Sequence, residues 1–175
     1  MRGRFPGLGA RRCARCRVAE PAWTVEVYET VQGRCPYERF LDGLDAVSAA
    51  ALIAAVEHVL ARNGIELARS EWLKALGEGL FEFRIRHDAD EITAMFTAAD
   101  PAALAALALP AGPVLLRVFC TFYGNKVVLL LGGYDKGADD SAKRQQREIK
   151  AARKLLTEWQ QEQHRAKAAD RKNKR

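Results

Sequence analysis

Residues 114–133 read VLLRVFCTFYGNKVVLLLGG. Ten residues rich in strand formers run into Gly124-Asn125, a pair that tolerates the positive torsions of a tight turn, and residues 126–133 return as a second strand. The returning strand is apolar at nearly every position rather than at alternate ones, so both of its faces need cover. Such a strand belongs in the middle of a sheet, with other elements above and below it.

Upstream, LFEFRIRH at 80–87 alternates, placing Leu80, Glu82, Arg84 and Arg86 on one face and Phe81, Phe83, Ile85 and His87 on the other. WTVEVY at 23–28 alternates in the same way and predicts another half-buried strand. Between them, Phe40, Leu41, Leu44, Val47, Ala51, Leu52, Ala55, Val56, Val59 and Leu60 recur at three- and four-residue spacing up to an Asn63-Gly64 stop. This predicts a helix, or a helical hairpin broken near Gly43 or Ser48. Residues 65–79 read as a turn region anchored by Trp72, Leu73 and Leu76, and residues 92–96 as a possible extension of the neighbouring strand. The alanine-rich, proline-bounded stretch within 88–113 reads as a mobile insertion. Downstream of 134–137, a cap at Asp139, Asp140 or Ser141 opens a helix reaching Trp159. Ile149, Ala152, Leu155, Leu156 and Trp159 form its apolar stripe, opposite Arg147, Lys150, Arg153 and Lys154. The fold expected is a compact α+β domain over 23–159. It has an antiparallel sheet of several strands, an N-terminal helix or helical hairpin and a C-terminal basic helix. A flexible basic leader (1–22) precedes it and a frayed basic tail (160–175) comes after it.

The net charge of the 175-residue chain is +6, but its distribution matters more. Residues 1–22 carry six arginines against Glu20, and 143–175 carry twelve basic against four acidic residues, so the intervening body is net acidic. Two basic ends suit a polyanion or an acidic partner. No run of eighteen apolar residues or secretory apolar core occurs, which points to a cytoplasmic protein without a membrane span. Cys13-Ala-Arg-Cys16 has the spacing of half a zinc site but no second CxxC or HxxxH completes it, so it reads as a pair of reduced thiols, and His58, His87 and His164 stand apart, so no metal is expected. Phosphate-loop, dinucleotide and nucleophile-elbow patterns are absent, and no cofactor is expected either. What remains is a set of basic side chains on strands: Arg84, Arg86, Arg117 and Lys136, with Glu82 as a pairing partner. If the strands are neighbours, these cations converge on a phosphate. RNA can be cut there without a metal, because its 2′-hydroxyl attacks the adjacent phosphorus. That reaction needs a base, positive charge for the phosphorane and an acid for the 5′ oxygen. His87 or Tyr134 is placed to assist proton transfer.

The ordered set LGEGLFEFRI (76–85), LRVF (116–119), VVLLLGGYDK (127–136) and REIKAAR (147–153) resembles the HigB-like, phage-derived branch of the RelE/ParE toxin superfamily. The likeness runs from about Trp23 to Trp159. It implies a toxin of a type II toxin-antitoxin system, a ribosome-dependent mRNA endonuclease that inhibits growth. The implied partners are the ribosome, mRNA and a cognate antitoxin carrying a helix-turn-helix domain, with operator DNA bound only through that antitoxin. Carried over motif by motif, Arg84, Arg117 and Lys136 take the catalytic positions, and Arg86, His87, Tyr134, Lys143 and Arg144 are expected to bind RNA. Gly137 stands where the family often has a second lysine. That departure keeps open an alternative, a RelE-fold protein that binds RNA or antitoxin with weak or no cleavage.

Overall fold

The computed structural model describes residues 10–12, 22–87 and 113–173. The chain is α+β. Six strands are described: β1 (Ala10–Arg12), β2 (Thr24–Tyr28), β3 (Leu73–Gly77), β4 (Leu80–His87), β5 (Val114–Tyr123) and β6 (Val127–Asp135). They lie side by side in the order β1-β2-β6-β5-β4-β3. The hairpin β5–β6 sits near the centre, as its apolar pattern requires. Its loop is Gly124-Asn125-Lys126, one residue longer than the expected turn, because Tyr123 pairs with Val127 and Lys126 takes the left-handed conformation at φ 55°.

The expected all-antiparallel sheet is corrected at one pair. β3 to β6 are antiparallel, but β2 runs parallel to β6, with Thr24 opposite Val127 and Val27 opposite Leu130. The helices between β2 and β3 carry the chain across one face to the far edge, which frees β2 to pair with the last strand. Three further expectations also change. Within the leader, Ala10–Arg12 forms β1 against β2. Inside the stretch read as a turn, a 3-10 helix (Gly64–Arg69) leads into β3, which pairs Leu73 with Phe83. Residues 160–173 of the tail are helical rather than frayed: α3 (Ala142–Asn173) is continuous, since Gln, Glu, Lys, Arg and Ala are all good helix formers. Residues 88–112, which hold most of the expected insertion and the 92–96 segment, lie outside the described residues.

Helices cover both sheet faces. The expected hairpin breaks at Gly43: α1 (Pro36–Asp42) ends there and α2 (Ala46–Ala55) begins, with Asp45 Oδ1 accepting from Val47 N and Ser48 N, both at 3.0 Å. α2 continues through a π-helical turn (Val56–Leu60) and a last α turn (Ala61–Asn63). By length and composition Ala46–Arg69 would cross a bilayer, yet Ala51, Leu52, Ala55, Val56 and Leu60 are buried in the core against Phe83, Ile85, Val118, Cys120, Val128 and Leu130. The opposite core joins Phe119, Leu129, Leu131 and Tyr134 to Ala152, Leu156 and Trp159 of α3. Adjacent residues Leu129 and Leu130 thus belong to different cores.

A bulge in β6 decides which side chains share the α3 face. Cys120 pairs with Leu130 but Phe119 pairs with Gly132, leaving Leu131 without an opposite residue. The extra residue reverses the alternation of β6, so Tyr134 comes opposite Arg117 and joins the α3 side.

Gly64 marks the end of the α2 extension at φ +56°, and a Cβ there would fall 2.0 Å from Cε2 of Trp23. Gly64→Ala therefore costs about 1–3 kcal/mol through overpacking, read as a lowered urea midpoint. An unchanged midpoint would mean that Trp23 has room to move aside.

Candidate phosphate site

Pairing across three strands assembles the residues that the sequence scatters. Arg84 on β4 lies opposite Arg117 on β5, which lies opposite Tyr134 on β6. One step along, Arg86 pairs with Leu115, whose carbonyl accepts from Lys136 N at 2.8 Å and Gly137 N at 3.3 Å. Arg84, Arg86, Arg117, Tyr134 and Lys136 therefore share one end of the sheet. They come from three segments spread over 53 sequence positions, and a twisted antiparallel sheet brings those segments together.

Two arginines directly opposite one another repel, and a buried carboxylate offsets this. Glu82 is 0% exposed. It accepts from Arg84 Nε at 3.0 Å through Oε2, and from Gln145 Nε2 of α3 at 3.5 Å through Oε1. Arg117 Nε stands 4.0 Å from the same Oε1, while Arg117 Nη1 donates to the carbonyls of Leu116 at 2.8 Å and Ile85 at 3.3 Å. Burial pulls the pKa of Arg117 down, and the Glu82 charge opposes that shift.

Accessibility separates the residues that the sequence grouped. Arg117 is 3% exposed, whereas the Arg84 side chain is 24% exposed, Arg86 is exposed and Lys136 is half-buried. Arg117 thus holds Glu82 and two carbonyls instead of facing solvent, which corrects its reading as a directly available phosphate ligand. The first turns of α3 reach the two neighbours of Arg117 in this layer, Glu82 through Gln145 and Tyr134 through Arg144. Arg144 Cζ sits 5.7 Å from the Tyr134 ring centroid, and Phe119 stacks on Tyr134 at 5.9 Å. The Tyr134 hydroxyl is buried, and no hydrogen-bond partner is found for it among the described residues. Burial, then the charge of Glu82, raises its pKa and keeps the phenol protonated.

Two expected RNA-binding residues do not join this cluster. His87 faces the other core, buried against Trp72 at 5.6 Å between ring centroids, because strand alternation puts it with Phe83 and Ile85. Lys143 is exposed and points away, one helical step from the inward-turned Arg144. Conversely, Gln145, which the sequence motifs pass over, and Phe119, which lies in the LRVF motif without an expected role, both belong to the site. Phe119 is two residues from Arg117 on the same strand face, and Gln145 precedes Ile149 and Ala152 at helical spacing, so both are readable once the face is known.

An open cleft of about 1060 Å³ adjoins the row, walled by Tyr134, Arg144 and Glu148 on one side and Arg39 and Phe40 on the other. Gly133 forms part of its floor, where a Cβ would lie 2.5 Å from Phe40 Cε1. Among the described residues no group of three or more His, Cys, Asp and Glu is gathered as a metal would require. Comparison of the chain with protein-family models, curated proteins and solved structures returns no match in any of the three.

Removing the Glu82 charge leaves Arg117 buried without its anion, so Glu82→Gln is expected to lower unfolding free energy by about 3–5 kcal/mol, measured by urea denaturation. Unaltered stability would show that the two carbonyls suffice for Arg117. A second expectation concerns Tyr28 at the far end of the cleft, whose hydroxyl donates to Glu162 Oε1 at 3.3 Å. Burial, then Glu162 and Glu158, pushes its pKa up to about 12. The folded value lies above the unfolded one near 10, so this stabilisation is complete below pH ~10 and is lost as pH rises through about 12. Phenolate absorbance during an alkaline titration reads the late ionisation, and since Tyr123 and Tyr134 are raised as well, Tyr28→Phe should lower the late amplitude by one phenol.

Proposed function

We propose that the chain is the toxin of a type II toxin-antitoxin system of the HigB-like kind, acting in the cytoplasm as a ribosome-dependent mRNA endonuclease. The observation that carries this reading is the convergence of Arg84, Arg86, Arg117, Tyr134 and Lys136 on one end of the sheet from three separate motif segments. The order of motifs in the sequence and the α+β architecture also support it.

The accessible cations Arg84, Arg86 and Lys136 hold the scissile phosphate and its neighbours, with Arg84 and Lys136 offsetting the charge that develops on the phosphorane. The RNA 2′-oxygen forms a bond to phosphorus and the bond to the 5′ oxygen breaks, leaving a cyclic phosphate and a 5′-hydroxyl. The 2′-hydroxyl proton leaves to a base, and the 5′ oxygen takes a proton from an acid. Tyr134, kept protonated by burial, is the acid nearest the cations. Arg117 acts from beneath, fixing Glu82 and hence Arg84, which makes it a positioning residue. Substrate entry displaces Arg144 and Gln145 from above the row.

A specific observation favours a second reading, an RNA- or antitoxin-binding protein with weak or no cleavage. Arg117 and Tyr134 are each 3% exposed beneath α3, and Gly137 supplies no second lysine. Induced expression in a bacterium, with mapping of mRNA 5′ ends, separates the two. The toxin reading expects growth arrest and new codon-phased 5′ ends. Arg84→Ala and Lys136→Ala should each slow cleavage by about 10²–10³-fold in folded protein. Normal growth with intact mRNA selects the non-cleaving protein.

A further inference from the structure

Six of the exposed basic residues of α3 line up on one side: Lys143, Arg147, Lys150, Lys154, Arg165 and Lys172. Exposed Lys167 and Arg171 lie off that line, and the four acidic residues of the helix, Glu148, Glu158, Glu162 and Asp170, are all half-buried. At about 100° per residue the six basic positions fall within a narrow arc of the helix. That arc lies opposite Gln145, Ala152, Leu156 and Trp159, which face the sheet. The eleven-residue gap between Lys154 and Arg165 is close to three whole turns and keeps them on one line, bridged by exposed Thr157 and Gln161. From Lys143 to Lys172 this cationic ridge is about 44 Å long at 1.5 Å per residue. Past Trp159 the helix continues through Asn173, well beyond its last core residue.

We propose that this outer ridge of α3 docks along the phosphate backbone of structured RNA, separately from the site beneath the helix. A straight row of exposed cations matches a regular row of phosphates and reads no base, so its contribution is electrostatic and sequence-independent. The ion pairs present are easily exchanged for phosphate: Arg147 reaches Glu148 at 3.2 Å while 71% exposed, and Lys154 reaches Glu158 at 3.9 Å while 78% exposed. A membrane surface fits less well, because the apolar side of α3 is spent on the core from Ala152 to Trp159 and the helix exposes no large apolar residue beside the ridge. The ridge follows from charge and geometry alone, whereas the choice of RNA over DNA rests on the proposed function.

The test compares the full chain with R147Q/K150Q/K154Q/R165Q/K172Q, measuring anisotropy of a labelled RNA hairpin over a potassium chloride series. Helix content by circular dichroism serves as the folding control. Five lost phosphate contacts reduce the slope of log K against log salt by about 3 to 4, with at least tenfold weaker binding at the lowest salt. Arg84→Ala, one contact in the other site, takes at most about 1 from the slope. An unchanged slope in the five-site variant overturns the ridge. The same loss on duplex DNA of equal length, with equal affinity, overturns the choice of RNA, and capture by anionic vesicles in place of RNA overturns both. Ridge-dependent RNA binding by a chain that leaves mRNA intact supports the ridge while refuting the endonuclease.

Discussion

Leu129 and Leu130 are neighbours in β6, fully buried, and face opposite ways. A strand apolar on both sides cannot rest against water on either, and burying each leucine contributes roughly 1.5–3 kcal/mol only if something is laid over it. α1 and α2 cover one side and α3 the other. Everything distinctive about the site follows from that second cover, since the strands that need it for Leu80, Phe119, Leu129 and Leu131 also carry Glu82, Arg117 and Tyr134.

Covering charge is costly unless it is matched. The sheet meets this with one carboxylate shared by two arginines and a glutamine, and with two main-chain carbonyls accepting from Arg117 Nη1. The arrangement divides labour between two arginines that face each other across β4 and β5. Arg117 becomes part of the support, while Arg84, nearer the open edge, keeps its outward reach. Tyr134 sits between Phe119 and Arg144 in the same layer, buried and held protonated. Chemistry at this end of the sheet is therefore tied to the position of the first turns of α3.

The helix is two-sided over most of its length. Its inner stripe closes the second core, and Arg153 beside that stripe donates to the Leu76 carbonyl of β3 at 2.6 Å and to Glu78 in the turn before β4. Its outer line holds the exposed bases. The same element that hides Arg117 thus offers the most regular cationic surface among the described residues.

Much of this was legible in the sequence. The β5–β6 hairpin, the alternation that sets Glu82, Arg84 and Arg86 apart from Phe83 and Ile85, and the apolar stripe of α3 all follow from local periodicity, which the chain carries in its own spacing, whereas the spacing left open whether the first helix breaks and whether it does so near Gly43 or Ser48. β3 was hidden because five residues, LKALG, are too short and too mixed to show a period. The parallel pairing of β2 with β6 depends on where an intervening helical segment delivers the chain. The bulge at Leu131, a single unpaired residue, moves Tyr134 onto the face of Arg117, and nothing in LLLGGY announces it. By itself, the sequence determined the four strands β2, β4, β5 and β6, the helical stretches before β3 and after β6, and which charges share a strand face. Only the tertiary structure decided which of those charges meet water, because exposure is fixed by the helix that lies across the strands, and no spacing within a strand encodes its neighbour.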